Sequence, residues 1–154
     1  MLDHLRAQML LGCVQEIVDS ASDRETKLQR ICELLHREVD YYDWVGFYLA
    51  DGATRELVLG PFVGEPTEHM RIPFGKGICG QAAERMATFT VQDVAQQENY
   101  LSCSPLVRAE IVVPILKGGH VLGELDIDSH SLAPFGPPDM ELLKGLCTMV
   151  SGLF

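Results

Sequence analysis

The strongest constraint on the fold is the run VLGELDID, Val121 to Asp128, in which carboxylates alternate with aliphatic side chains. A β-strand sends successive side chains to opposite faces, so Glu124, Asp126 and Asp128 share one face while Leu125 and Ile127 occupy the other. The aliphatic face belongs in a core. In Glu110 to Ile115 the same period places Glu110, Val112 and Pro114 together, and Lys117, Gly118, Gly119 and His120 read as the hairpin connection between the two strands. Once the strands pair, Glu110 joins the acids. Several carboxylates on one face repel unless they are solvated, share protons or meet a cation. Two readings stay open at this point: an antiparallel sheet face wetted by solvent, or a pocket whose guest is an ammonium group or a metal ion.

The remaining segments supply the layers such a sheet needs. Leu2 to about Ser20 has helical period, with Leu5, Met9, Cys13 and Ile17 at fourfold spacing, and such a helix could also pack on a second protomer. Asp23 is placed to cap a helix over Arg24 to Val39 with Leu28, Ile31, Cys32 and Leu35 as its stripe. Cys13 and Cys32, on these stripes, are expected in the core. Tyr41 to Ala50 reads as a strand that sets Trp44, Gly46 and Tyr48 on one face, with a hollow at the glycine between two rings, and Val45, Phe47 and Leu49 on the other. Glu56 to Val63 completes a hairpin after Asp51-Gly52. Gly64 to Gly80 reads as a loop leading into a helix at Gln81 to Met86. Cys79 then lies near a helix N-terminus, where exposed amides lower a thiol pKa. Phe89 to Val94 reads as a strand and Ala95 to Leu106 as a polar loop. Cys103 sits on that loop among Ser102, Ser104 and Pro105, without an apolar stripe to explain it. Asp139 is expected to cap a last helix, with Leu142, Leu143, Leu146, Cys147 and Val150 facing inward.

These elements make an α+β domain with a central antiparallel sheet. With 154 residues, one domain over 1–154 is expected. A net charge of −10 is the wrong sign for attraction to nucleic-acid phosphates or anionic membranes, and no apolar run is long enough to span a bilayer. Five cysteines, odd in number and without a CxxC pair, argue for reduced thiols in the cytoplasm rather than a disulfide framework. The histidines show no HExxH-like spacing, so no transition-metal site and no cofactor are expected.

Taken together, DWVGFYL, LVLGPFVG, RIPFGKGICGQAA, VQDV, EIVVPI and LGELDIDS resemble GAF domains, and more narrowly the GAF-fold reductases of free methionine-(R)-sulfoxide. The resemblance implies a six-stranded sheet with helices packed on it, and a homodimer. It makes Cys103 the nucleophile and Cys79 the resolving thiol, and gives Asp128 an acid's role. Glu110, Asp126 and Asp128 would surround the substrate beside a wall formed by Trp44 and Tyr48. Free methionine sulfoxide would be the substrate and thioredoxin or a similar dithiol the reductant. Two positions depart from the family pattern: His69 stands where many members carry a third cysteine, and Ser104 follows the nucleophile where an acid is common. Two other functions compete with this one, a non-catalytic GAF sensor signalling through its terminal helices and an oxygen-ligand cation site at Glu110, Asp126 and Asp128.

Overall fold

A computed structural model of the chain describes residues 1–100 and 104–154. Helix α1 (His4–Asp19) starts where the Asp3 carboxylate accepts the Arg6 N–H at 2.8 Å, and α2 (Arg24–Glu38) starts where Asp23 accepts that of Thr26 at the same distance. Strands β1 (Trp44–Asp51) and β2 (Glu56–Val63) form the first hairpin. A short β3 (Arg71–Pro73) leads into α3 (Gly77–Arg85), and β4 (Phe89–Val91) follows. Strands β5 (Ala109–Lys117) and β6 (His120–Ser129) form the second hairpin. Its turn is Gly118-Gly119, both with positive φ, as a two-residue turn between twisted strands requires. Helix α4 (Pro137–Ser151) closes the chain.

The six strands form one antiparallel sheet in the order β3-β2-β1-β6-β5-β4. Sequence-distant hairpins meet at its centre, where β1 pairs with β6. On one face Val45, Phe47, Ile111, Val113, Leu125 and Ile127 lie under α1, α2 and α4 as the main core. Fully burying each such side chain contributes about 1.5–3 kcal/mol. The predicted stripes of α2 and α4 are buried as expected, with Cys32 and Cys147 among them.

Three expectations are corrected. The inward face of α1 is Ala7, Leu10 and Val14, whereas Leu5 and Met9 are 73% and 58% exposed and Cys13 is on the surface. Small Ala7 lets α1 sit close on the core, which selects that stripe over the bulkier one. The loop before Gly80 contains β3, too short for its alternation to register, and α3 begins at Gly77 rather than Gln81. Asp139 lies inside the first turn of α4, not at its cap. Its carboxylate accepts the Gly136 N–H at 2.8 Å and the Tyr41 and Tyr42 hydroxyls at 2.8 and 2.7 Å, tying α4 to the start of β1.

Candidate active site

The opposite face of the sheet carries the acids. Register sets Trp44, Asp128 and Glu110 in one cross-strand row; Gly46, Asp126 and Val112 in the next; and Tyr48, Glu124 and Pro114 in a third. Residues two apart on a strand thus stack on a common surface. Helix α3 lies across it and brings Ile78, Cys79, Ala82 and Ala83 against Tyr48 and Val112. The wetted-face reading is excluded: Glu110, Glu124, Asp126 and Asp128 are each at most 5% exposed.

The site is polar at its floor and aromatic at its side. The Cys79 thiol donates to Glu110 Oε1 at 3.7 Å, and Cys79, Glu110 and Asp126 present ligand-type atoms that all lie within 4.8 Å of one another. Both oxygens of Glu124 and Oδ1 of Asp126 are buried without a hydrogen-bond partner among the described residues. Loss of solvation, reinforced by mutual repulsion with Asp126, pushes Glu110 and Glu124 well above the usual carboxyl range. Burial raises Asp126 to about 6. At neutral pH these groups share protons. A proton-holding cluster traps ammonium less strongly than four full charges would, but it can donate hydrogen bonds.

For Cys79 the expected direction of the thiol pKa is reversed. The residue is indeed in the first turn of α3, yet burial, followed by Asp126, Glu124 and Glu110, drives the thiol well above its ordinary value. Desolvation and three carboxyls outweigh the helix terminus. One amide at that terminus is moreover taken, since Gly77 N–H donates to Asn99 Oδ1 at 2.9 Å while Asn99 Nδ2 donates to Gly75 O at 3.0 Å. Asn99 thereby fastens the chain before Cys103 to α3. Cys103 itself lies outside the described residues.

Trp44 and Tyr48 face the acids as expected, their ring centroids 6.4 Å apart. The hollow at Gly46 is filled, however: a Cβ there would lie 2.3 Å from the Trp44 ring, and one at Gly64 would lie 2.5 Å from it. These two glycines let the indole lie flat on the sheet, where it stacks on Phe62 at 5.5 Å and donates from Nε1 to Glu65 O at 2.9 Å. The Tyr48 hydroxyl donates to His69 O at 2.9 Å.

Tyr48, Cys79, Glu110 and Asp126 line an enclosed cavity of about 10 Å³ together with His69 and Lys76, room for about one water molecule. Trp44 and Asp128 flank these residues in the sheet rather than lining the cavity. The larger open depression, about 590 Å³ between α2 and β2, is walled by solvent-facing Glu25, Arg30 and Glu33 and gathers no buried polar set. Sequence reasoning placed Glu124 on the acidic face but left it out of the site, although it is in phase with Asp126 and Asp128. Lys76, inside the RIPFGKGICGQAA run, carried no site signal of its own in the sequence.

Residues 23–153 match the model of the GAF domain. The GAF domain-containing protein A of Dictyostelium discoideum is 36% identical over 141 residues, covering 92% of this chain and 87% of that protein. The free methionine-R-sulfoxide reductase of Escherichia coli is 36% identical over 113 residues, covering 73% of this chain and 67% of that enzyme. Among solved structures, the free methionine-R-sulfoxide reductase of Neisseria meningitidis in complex with its substrate superposes with a TM-score of 0.93 at 36% identity, covering 100% of this chain and 92% of that one. With the family model matched over most of its length, the chain belongs to the GAF domain family.

Proposed function

We propose that the protein reduces free methionine-(R)-sulfoxide to methionine, with Cys103 as nucleophile and Cys79 as resolving thiol. The observation that carries this reading is the buried face on which Glu110, Asp126 and Asp128 lie between an aromatic wall and the Cys79 thiol. Relatives bearing that activity in their names support it.

The chemistry of the buried face matches the substrate's parts. A sulfoxide oxygen is a strong acceptor, and a protonated carboxyl such as that of Glu110 donates to it, while a carboxylate of the same face meets the ammonium. The methyl group lies against Trp44 and Tyr48. Cys103 attacks the sulfoxide sulfur as a proton from the acid cluster reaches the oxygen. The oxygen passes to Cys103, whose sulfur is oxidised to a sulfenic acid by two electrons as the substrate sulfur is reduced to the thioether. Cys79 then attacks the sulfenic sulfur, its proton is relayed through the carboxyl cluster to the departing hydroxyl, and water leaves as the disulfide forms. A dithiol of the thioredoxin kind exchanges with that disulfide and restores both thiols, which fits a cytoplasmic setting. Among the described residues no helix is long and apolar enough to cross a membrane. The exposed Leu5, Met9 and Cys13 stripe of α1 is the surface on which the homodimer would form.

Single-turnover reaction with free methionine-(R)-sulfoxide tests the scheme. The wild-type chain and Cys79→Ser should each yield one methionine per chain, Cys103→Ser none, and only the wild type should turn over with thioredoxin. Absence of methionine from the wild type would favour the sensor reading.

A further inference from the structure

On the same buried face the thiol and two carboxyls that the reductase reading uses singly also converge, from three elements, on a space the size of a single small guest. Cys79 comes from α3, Glu110 from β5 and Asp126 from β6, and their ligand atoms lie within 4.8 Å of one another. Asp126 Oδ1, in a residue 1% exposed, has no hydrogen-bond partner among the described residues and belongs to the lining of the cavity. Behind it, Glu124 is fully buried with both oxygens unpartnered among the same residues.

We infer that Cys79, Glu110 and Asp126 form a three-ligand site for one divalent cation of the zinc class, and that the ion fills the water-sized cavity they line and so blocks the face on which substrate would bind. Tetrahedral zinc with bonds of about 2.0–2.3 Å holds its ligands about 3.3–3.8 Å apart, so a contraction of about 1 Å converts the present spacing into a coordination sphere. One sulfur in the set selects zinc-class ions over magnesium or calcium, which prefer oxygen alone. Thiolate and two carboxylates carry three negative charges, of which a divalent ion offsets two. Metal binding here depends on three side chains and not on catalysis, whereas its effect on turnover rests on the reductase reading.

Cobalt(II) is the probe, titrated into the full-length chain with Cys13→Ser removing the exposed thiol and a non-thiol reductant present. One equivalent should bind with a thiolate-to-cobalt charge-transfer band that survives Cys103→Ser and vanishes in Cys79→Ser. Asp126→Asn should weaken affinity by more than the roughly 10–100-fold that loss of an outer partner costs. Zinc should displace the cobalt and magnesium should not. No binding, a band that persists without Cys79, or a band lost with Cys103 alone overturns the site. Cobalt bound through Cys79 in a chain that never reduces methionine sulfoxide would leave the site standing and remove the reductase reading. Turnover indifferent to zinc at a concentration that fills the site would overturn the claim that the ion blocks that face.

Discussion

The two faces of β6 differ by one residue of phase and by nearly everything else. Leu125 and Ile127 are fully buried among aliphatic side chains under three helices; Glu124, Asp126 and Asp128, interleaved with them, are equally buried beneath one short helix and its flanking segments. The first face gains stability from every group it hides. The second spends some of it, because desolvated carboxyls are driven to hold protons they would release in water. Such a cost is retained where a site needs it, and the contrast teaches that stability and activity in this chain can be changed separately from alternate positions of one strand.

The largest expected effect is at Asp126. Replacing it by Asn should lower kcat/KM by about 10²–10⁴-fold, the usual range for a positioned acid, while the folded state becomes more resistant to urea. Loss of activity accompanied by loss of stability would break the contrast between the faces. Leu125→Ala is the opposite change one residue away: it should cost about 2–5 kcal/mol and leave the activity per folded molecule near wild type, as urea titration and active-site counting would show.

A pH series sharpens the same point. Asp126 titrates near 3.8 unfolded and about 6 folded, so between those values the folded chain binds more protons, and stability falls as pH rises. That penalty is absent below about pH 4 and complete above about pH 6, where it reaches up to about 3 kcal/mol. Glu110 and Glu124, raised further, carry the decline to higher pH. Subtracting the urea midpoints of Asp126→Asn from those of wild type isolates this group from surface acids such as Glu38 and Asp51, whose shifts run the other way. A difference that does not grow between pH 4 and 6 would mean that Asp126 is ionised throughout.

What the residues reveal in advance follows the range of the interactions involved. Period-two alternation in Glu110 to Ile115 and Val121 to Asp128 is a local property, and it yielded β5, β6, their shared polar face and the glycine turn. The stripes of α2 and α4 were legible for the same reason. Strand β3 has three residues and pairs only because β2 lies beside it. The convergence of Cys79 with Glu110 and Asp126 has no spacing signature, since it arises when α3 folds over two strands distant in sequence. Cys79 was misread because a helix terminus is visible in a sequence and burial beside three carboxyls is not.

Helix α1 offers the smallest and most local test. It carries two apolar stripes: Ala7, Leu10 and Val14 face the chain's own core, and Leu5 and Met9 face outward with Cys13. An aspartate at Leu5, 73% exposed, meets no desolvation in a monomer, so stability of the isolated chain should change by no more than about 0.5 kcal/mol. If the outward stripe joins two protomers, the same substitution buries a charge on both sides of the interface, and sedimentation equilibrium should show the wild type as a dimer and Leu5→Asp as a monomer. The wild-type melting temperature should then rise with protein concentration and that of the variant should not, because only association makes stability depend on concentration. A variant that remains dimeric would place the contact elsewhere and leave Leu5 and Met9 as ordinary exposed side chains.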